Sequence, residues 1–184
     1  VDLDYLKYLT SGVDRDVVLN ELMNEYGNDV WNFAFYLIRR SDYADDICQD
    51  VFLTLYEKLH TFRGESHIKS WLLTITRNRT YKYRRNAYFS RVVLVNNAAK
   101  NGTSRSAEAE MFDRMETRHI WINVMKLPLR YREVLLLEIH YQLSIQEMAK
   151  MLDVAEGTIK SRLHRARKRL STLLQLESEG GIDD

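Results

Sequence analysis

Three groups of side chains in this 184-residue sequence are spaced to engage charged partners. Asp45, Asp46, Gln49 and Asp50 recur at helical spacing, and at about 100° per residue they share one face. Carboxylates on one helix can serve catalysis, hold a metal or dock on a basic protein. No nucleophile, histidine at ligand spacing or glycine-rich phosphate loop accompanies them, and no G-x-S-x-G, H-E-x-x-H or P-loop pattern occurs. Docking on a basic protein surface is the most economical reading. No catalytic residue, metal site or cofactor is expected, and His60, His67, His119, His140 and His164 read singly as surface or satisfied histidines.

The second group is Arg77, Asn78, Arg79 and Lys82, followed by Arg84 and Arg85 and interleaved with Tyr81, Tyr83, Tyr88 and Phe89. That mixture suits unpaired nucleic acid, because phosphates meet cations while an unstacked base uses an aromatic or guanidinium face. The preceding loop of Phe62, Arg63, Gly64, Glu65 and Ser66 is the candidate base pocket, with Gly64 permitting close backbone approach. Trp71 reads as core rather than stacking platform, and several tyrosines can also be core.

The third group lies in "LSIQEMAKMLDVAEGTIKSRLHRARKRL", a short helix, a tight turn at Asp153 to Ala155 and a longer basic helix. This is a helix-turn-helix pattern. Ile159, Leu163, Ala166 and Leu170 form one apolar stripe, so Lys160, Ser161, His164, Arg165 and Lys168 point away, flanked by Arg162, Arg167 and Arg169. In a major groove Lys160 and Arg165 can donate to guanine, while Thr158 and the flanking arginines can hold phosphates. A solvated basic helix is the alternative. Asp153 occupies the turn position that usually carries Gly.

The net charge of +1 conceals opposing blocks: −6 over residues 14–60, +7 over 61–91, +4 over 153–170 and −4 over 171–184. Two cationic stretches suit two contacts with one polyanion, and the acidic block suits a basic partner; ordinary solvated faces are the other explanation. A composition 45% hydrophobic with one Pro predicts a folded, mostly helical chain and excludes collagen-like or largely disordered classes. The single Cys48 cannot form an intrachain disulfide, which points to a reducing, cytoplasmic setting. The sequence offers no apolar run of membrane-spanning length and no secretory signal, so no membrane insertion is expected. Val1 in place of Met points to a trimmed or partial N-terminus.

The positioning elements are helices. Val17, Val18 and Leu22, then Val30, Trp31, Ala34, Phe35 and Ile38, step by three and four, with a break or kink expected at Gly27 and Asn28. Ser41 and Asp42 are expected to cap a helix whose stripe is Ala44, Ile47, Cys48, Val51, Phe52, Leu55 and Leu59. Ser66 can cap the next, with Ile68, Trp71, Leu72 and Ile75 inward. Residues 92–111 read as a linker, whose first four residues can be a strand or a docking segment. Helical patterning resumes near Phe112 through Ile120, Trp121, Val124 and Leu127, and Pro128 opens a helix running to His140. Ser144 and Glu147 form a capping box before Ile145, Met148, Ala149 and Leu152. The expected fold is all-α: two small helical domains, residues 1–91 and 112–184, joined by a flexible linker, the second a helix-turn-helix domain with an acidic tail.

The segments "DYADDICQDVFLTLYEKLHTFRGESHIKSWLLTITRNRTYKYRR" and "LPLRYREVLLLEIHYQLSIQEMAKMLDVAEGTIKSRLHRARKRL", in that order around a linker, closely resemble the extracytoplasmic-function (ECF) sigma factors of bacteria over about residues 14–174. The resemblance implies a transcription initiation factor that is not an enzyme. Its first domain would bind the beta-prime clamp helices of core RNA polymerase and open the −10 promoter element, while the second reads the −35 element in double-stranded DNA. Asp46, Gln49, Asp50 and Phe52 fall where the family faces polymerase; periodicity puts Phe52 inside, which leaves the polar three beside Asp45. Asn78 and the loop from Phe62 to Ser66 fall where the family captures a flipped base of the melted non-template strand, with Arg77, Arg79 and Lys82 alongside. Lys160, Ser161, His164 and Arg165 fall at −35 reading positions, flanked by Thr158, Arg162, Arg167 and Lys168. The resemblance also implies an anti-sigma factor as partner. The alternative from the residues alone is a stand-alone repressor or activator whose first domain dimerises or senses, which leaves the cluster from Arg77 to Arg85 unused.

Overall fold

The computed structural model describes residues 14–62, 67–93 and 115–180. They fall into two compact units, one within residues 1–103 and one within 104–184.

The first unit contains α1 (Arg15–Ile38), α2 (Ser41–Lys58), a 3-10 turn (Leu59–Thr61) and α3 (Ile68–Val93). Asp14 starts α1 by accepting the Asp16 N–H at 3.0 Å, and the helix ends at Arg39, whose backbone is left-handed at φ 61°. No break occurs at Gly27. One interior glycine costs about 1 kcal/mol in a helix, and here Val18, Leu22, Val30 and Ala34 bury an apolar stripe on both sides of it. The expected caps of α2 lie inside the helix rather than before it: Arg40 is the extended cap residue and its side chain makes no cap bond, Ser41 and Asp42 are already helical, and the Asp42 carboxylate accepts from the Arg40 guanidinium as well as from backbone N–H groups of the first turn.

Ala44, Ile47, Val51, Phe52, Leu55 and Leu59 are buried as their spacing predicts, with Cys48 half-buried beside them. Each fully buried aliphatic contributes roughly 1.5–3 kcal/mol. On α3, Ile68 and Leu72 go inward as expected, but Trp71 and Ile75 are only half-buried, and Leu73, Thr76 and Thr80 complete the inner face. The two threonines are tolerated there because each hydroxyl donates to the carbonyl four residues earlier, at 2.8 Å. Val17, expected inward, is half exposed. Val92 and Val93 are helical, which removes them from the strand alternative; residues 94 onward in that segment, and Phe112, lie outside the described residues.

The second unit contains α4 (Met115–Lys126), α5 (Leu129–Leu135), a π-helical turn (Leu136–His140), α6 (Ile145–Leu152) and α7 (Glu156–Gly180). Pro128 stands at the cap of α5 rather than within it. Helix continues to His140 as spacing predicts, but widened over its last five residues. The capping box is complete: Ser144 Oγ accepts the Glu147 N–H at 3.2 Å and Glu147 Oε2 accepts the Ser144 N–H at 2.8 Å. Met148, Met151 and Leu152 then seat α6 against α7 through Ile159, Leu163 and Ala166.

Between α6 and α7, Asp153 adopts φ 52° and ψ 53°, a left-handed conformation that costs most L-residues about 1–2 kcal/mol and Asp somewhat less. Asp153→Gly should therefore raise this unit's unfolding free energy by about 0.5–1 kcal/mol. The check is the urea midpoint; a lower midpoint would show that the aspartate stabilises the turn more than its backbone strain costs.

Candidate nucleic-acid and partner interfaces

Burial of one side of α2 forces its polar side outward. Asp45, Asp46 and Gln49 are exposed and Asp50 is half-buried. Two of the four carboxylate-bearing or amide positions are held from neighbouring helices: Trp31 Nε1 donates to Asp45 Oδ1 at 2.6 Å, and Tyr83 Oη donates to Asp50 Oδ2 at 3.2 Å. Burial first, and then the Asp50 charge, raise the Tyr83 phenol above its ordinary value, so it stays protonated as a donor. Phe52 is 5% exposed and belongs to the core.

The same outward face carries two apolar side chains that the polar pattern missed. Leu53 is 57% exposed and Tyr56 38% exposed, one turn and two turns beyond Gln49. Leu53 interrupts the stripe phase, which is the only sequence signal for it. The surface is thus acidic at one end and apolar at the other. Among the described residues no group of three His, Cys, Asp or Glu side chains is arranged to hold a metal.

Cys48 lies behind this face, its Sγ 4.0 Å from the Gly27 carbonyl oxygen. Burial, assisted by the Asp45 charge, pushes its thiol up to about 11. A neutral thiol favoured by the fold contributes stability that is complete below the unfolded value of about 8.5 and is lost as pH rises through about 11. The native thiol should accordingly react with a disulfide reagent at pH 8 at least tenfold more slowly than the urea-unfolded chain; equal rates would contradict its burial.

On α3, Asn78, Lys82 and Arg85 are exposed, and the Arg77 guanidinium lies 4.6 Å above the Tyr81 ring. Two of the cations on this surface, the half-buried Arg79 and the exposed Arg84, reach acceptors on neighbouring helices. Arg79 Nη2 donates to Thr54 Oγ1 at 2.7 Å, and Thr54 in turn donates to the Asp50 carbonyl at 2.7 Å. Arg84 Nη1 donates to the Leu37 carbonyl at 3.0 Å, satisfying one of the open carbonyls at the end of α1. Periodicity identified their face but not the acceptors that neighbouring helices present. The Phe62 ring is half-buried against Trp71, with centroids 5.0 Å apart, so Trp71 is packing for the start of the candidate pocket. Arg63, Gly64, Glu65 and Ser66 lie outside the described residues.

On α7 Ile159, Leu163 and Ala166 of the inward stripe are buried and Leu170 is half-buried, while Lys160, Ser161, His164, Arg165 and Lys168 are exposed, with Thr158 and Arg162 half-buried. Ser161 Oγ donates to the Thr158 carbonyl at 2.9 Å. Arg167 is exposed as well, and its Nη2 donates to both carboxylate oxygens of Glu138, at 2.6 and 2.7 Å, tying α7 to the π-helical turn. Its charge is thus partnered within the unit, on a side chain that is 60% exposed. Two cations that spacing did not connect, Arg130 and Arg169, lie 4.8 and 5.1 Å from the centroid of the Tyr131 ring.

The sigma-70 region 2 family matches residues 22–88, and sigma-70 region 4 matches residues 124–170, one in each unit. The ECF RNA polymerase sigma factor EcfG of Rhodopseudomonas palustris is 34% identical over 158 residues, covering 83% of each chain. The chain belongs to the ECF family of RNA polymerase sigma factors. The ECF sigma factor SigX of Bacillus subtilis is 27% identical over 168 residues, 89% of this chain and 87% of its own. Among solved structures, the sigma factor RpoE in complex with the anti-sigma factor NepR from Bartonella quintana aligns with a TM-score of 0.65 at 27% identity, covering 90% of this chain and 97% of that one. Region 2 in this sigma factor is the α1–α3 unit, and region 4 contains the helix-turn-helix. Its family acts in transcription initiation and is not catalytic. A stand-alone repressor does not account for a region 2 match. No described helix is long and apolar enough to cross a membrane.

Proposed function

We propose that this sigma factor docks on the beta-prime clamp helices of core RNA polymerase through Asp45, Asp46, Gln49 and Asp50 of α2, with Leu53 and Tyr56 extending the contact. Arg77, Asn78 and Lys82 of α3, with the loop from Phe62 to Ser66, then hold the melted −10 non-template strand. Arg79 works behind them as a strut. Lys160, Ser161 and His164 read base edges of the −35 element, while Thr158, Arg162 and Lys168 meet its phosphates. The chain acts in the cytoplasm, and an anti-sigma factor restrains it, a reading supported by the RpoE relative's complex with NepR.

The observation that carries this reading is the adjacency of two oppositely charged surfaces in one three-helix unit. The Tyr83–Asp50 and Arg79–Thr54 hydrogen bonds tie the acidic helix to the cationic one. A partner engaging α2 therefore holds α3 at a fixed place relative to itself. Strand opening needs no covalent step: unstacking a base costs a few kcal/mol, offset by pocket and phosphate contacts.

The test is retention of a labelled −10 non-template single strand by core polymerase. Wild-type chain should confer retention on core enzyme, and Arg77→Ala with Lys82→Ala should lower it at least tenfold without releasing the chain from core. Equal retention by the double variant would remove α3 from strand capture.

A further inference from the structure

The Tyr131 ring is 3% exposed, yet three exposed guanidiniums converge on it. Arg130 on α5 lies 4.8 Å from the ring centroid, Arg169 on α7 lies 5.1 Å from it, and Arg165, one turn before Arg169, hydrogen-bonds its hydroxyl. Burial acts to raise this phenol, but the Arg130 charge, the Arg165 hydrogen bond and the Arg169 charge outweigh it and hold the phenol below its ordinary value. Among the described residues none of the three arginines forms an ion pair. Arg167 shows what compensation inside the unit looks like, with its Glu138 carboxylate.

Three like charges gathered on a neutral ring repel one another, and the attraction between a cation and an aromatic face, about 0.5–1 kcal/mol at exposed sites, only partly offsets that. An anion between them removes the repulsion. The cluster also has a defined place on the helix-turn-helix. On α7, residues 158, 162, 165 and 169 form one edge row at helical spacing, while Lys160 and His164 lie on the other side of the outward face. The edge row faces α5, where Arg130 is.

We propose that Tyr131 is a positioning residue that gathers Arg130, Arg165 and Arg169 into a clamp for a backbone phosphodiester of duplex DNA, at the edge of the groove α7 enters. The inference rests on the −35 reading above and gives Arg165, which spacing alone offered to guanine, to the backbone instead. With the ring already holding them together, the three long side chains lose less freedom on binding than three independent arginines would. Specificity is left to Lys160, Ser161 and His164.

The test uses holoenzyme assembled from core polymerase and full-length chain. Its probes are a duplex enriched from a random-sequence pool by the wild-type holoenzyme, and the unselected pool itself. Arg130→Gln, at an exposed position, should weaken binding to both probes by the same factor and reduce the slope of log affinity against log salt by about 0.9. Tyr131→Phe keeps the ring but frees Arg165, and should also weaken both probes equally, without altering which sequence is enriched. A changed sequence preference in either variant overturns the clamp, as does an unchanged salt slope in Arg130→Gln. A wild-type holoenzyme that enriches no sequence overturns the −35 reading itself, and the clamp with it.

Discussion

Asp46→Arg should weaken binding of this sigma factor to core polymerase by about 100-fold or more while leaving its thermal unfolding midpoint essentially unchanged. Asp46 is exposed on α2, so the substitution removes no buried contact, and surface changes of this kind usually alter folding by no more than about 0.5 kcal/mol. At an interface with a basic partner the same substitution sets like charge against like charge. That costs several kcal/mol, and about 2.7 kcal/mol already corresponds to the 100-fold loss. Asp50→Asn is a graded comparison. It removes the charge but keeps an oxygen to accept from Tyr83, whose hydroxyl stands 3.2 Å from the carboxylate, so it should weaken binding by less than the reversal at Asp46. The measurement is a fluorescence titration of labelled chain with core enzyme. Equal affinity of wild type and Asp46→Arg would remove the acidic face from the interface.

Lys160→Ala combined with His164→Ala should cost little core affinity but collapse discrimination between promoters that differ in the −35 element. Both side chains are exposed on the outward face of α7, away from the buried Ile159, Leu163 and Ala166, so the fold should tolerate the change. A well-formed base contact contributes about 1–3 kcal/mol of discrimination, so losing two predicts a fall of at least tenfold in the ratio of affinities for matched and mismatched duplexes. Competition between the two duplexes for holoenzyme measures that ratio directly. A uniform loss on every sequence, with the ratio intact, would assign both residues to the backbone and place base reading elsewhere.

The parts of this molecule that were legible in sequence are those fixed by neighbours within a few residues. Ser144 and Glu147 form the capping box because both partners lie in one helical turn, and Ile159, Leu163 and Ala166 are buried because their spacing leaves one face for the core. Asp153 takes the left-handed turn its position required. The acidic face of α2 was legible for the same reason, since the apolar stripe leaves those residues nowhere else to point. What escaped depends on groups supplied from distant parts of the chain. Arg79 and Arg84 find acceptors 25 and 47 residues away, and Arg167 finds Glu138 29 residues away, none of which periodicity can reveal. Gly27 suggested a break that tertiary packing overrides, and Ser41, read as a cap, is already the first helical residue, with Arg40 before it. The Tyr131 cluster escaped because its members come from two helices, and only their packing brings Arg130 beside Arg165 and Arg169.

Start-site choice by purified bacterial core polymerase, with and without the full-length chain, tests most directly whether the acidic surface of α2 brings two DNA-binding modules to one promoter. Multi-template run-off transcription should show a new, reproducible start site when the wild-type chain is added and none with Asp46→Arg at the same concentration. The account is contradicted if transcripts from core enzyme are the same with and without the wild-type chain, or if Asp46→Arg directs the new start as well as wild type does.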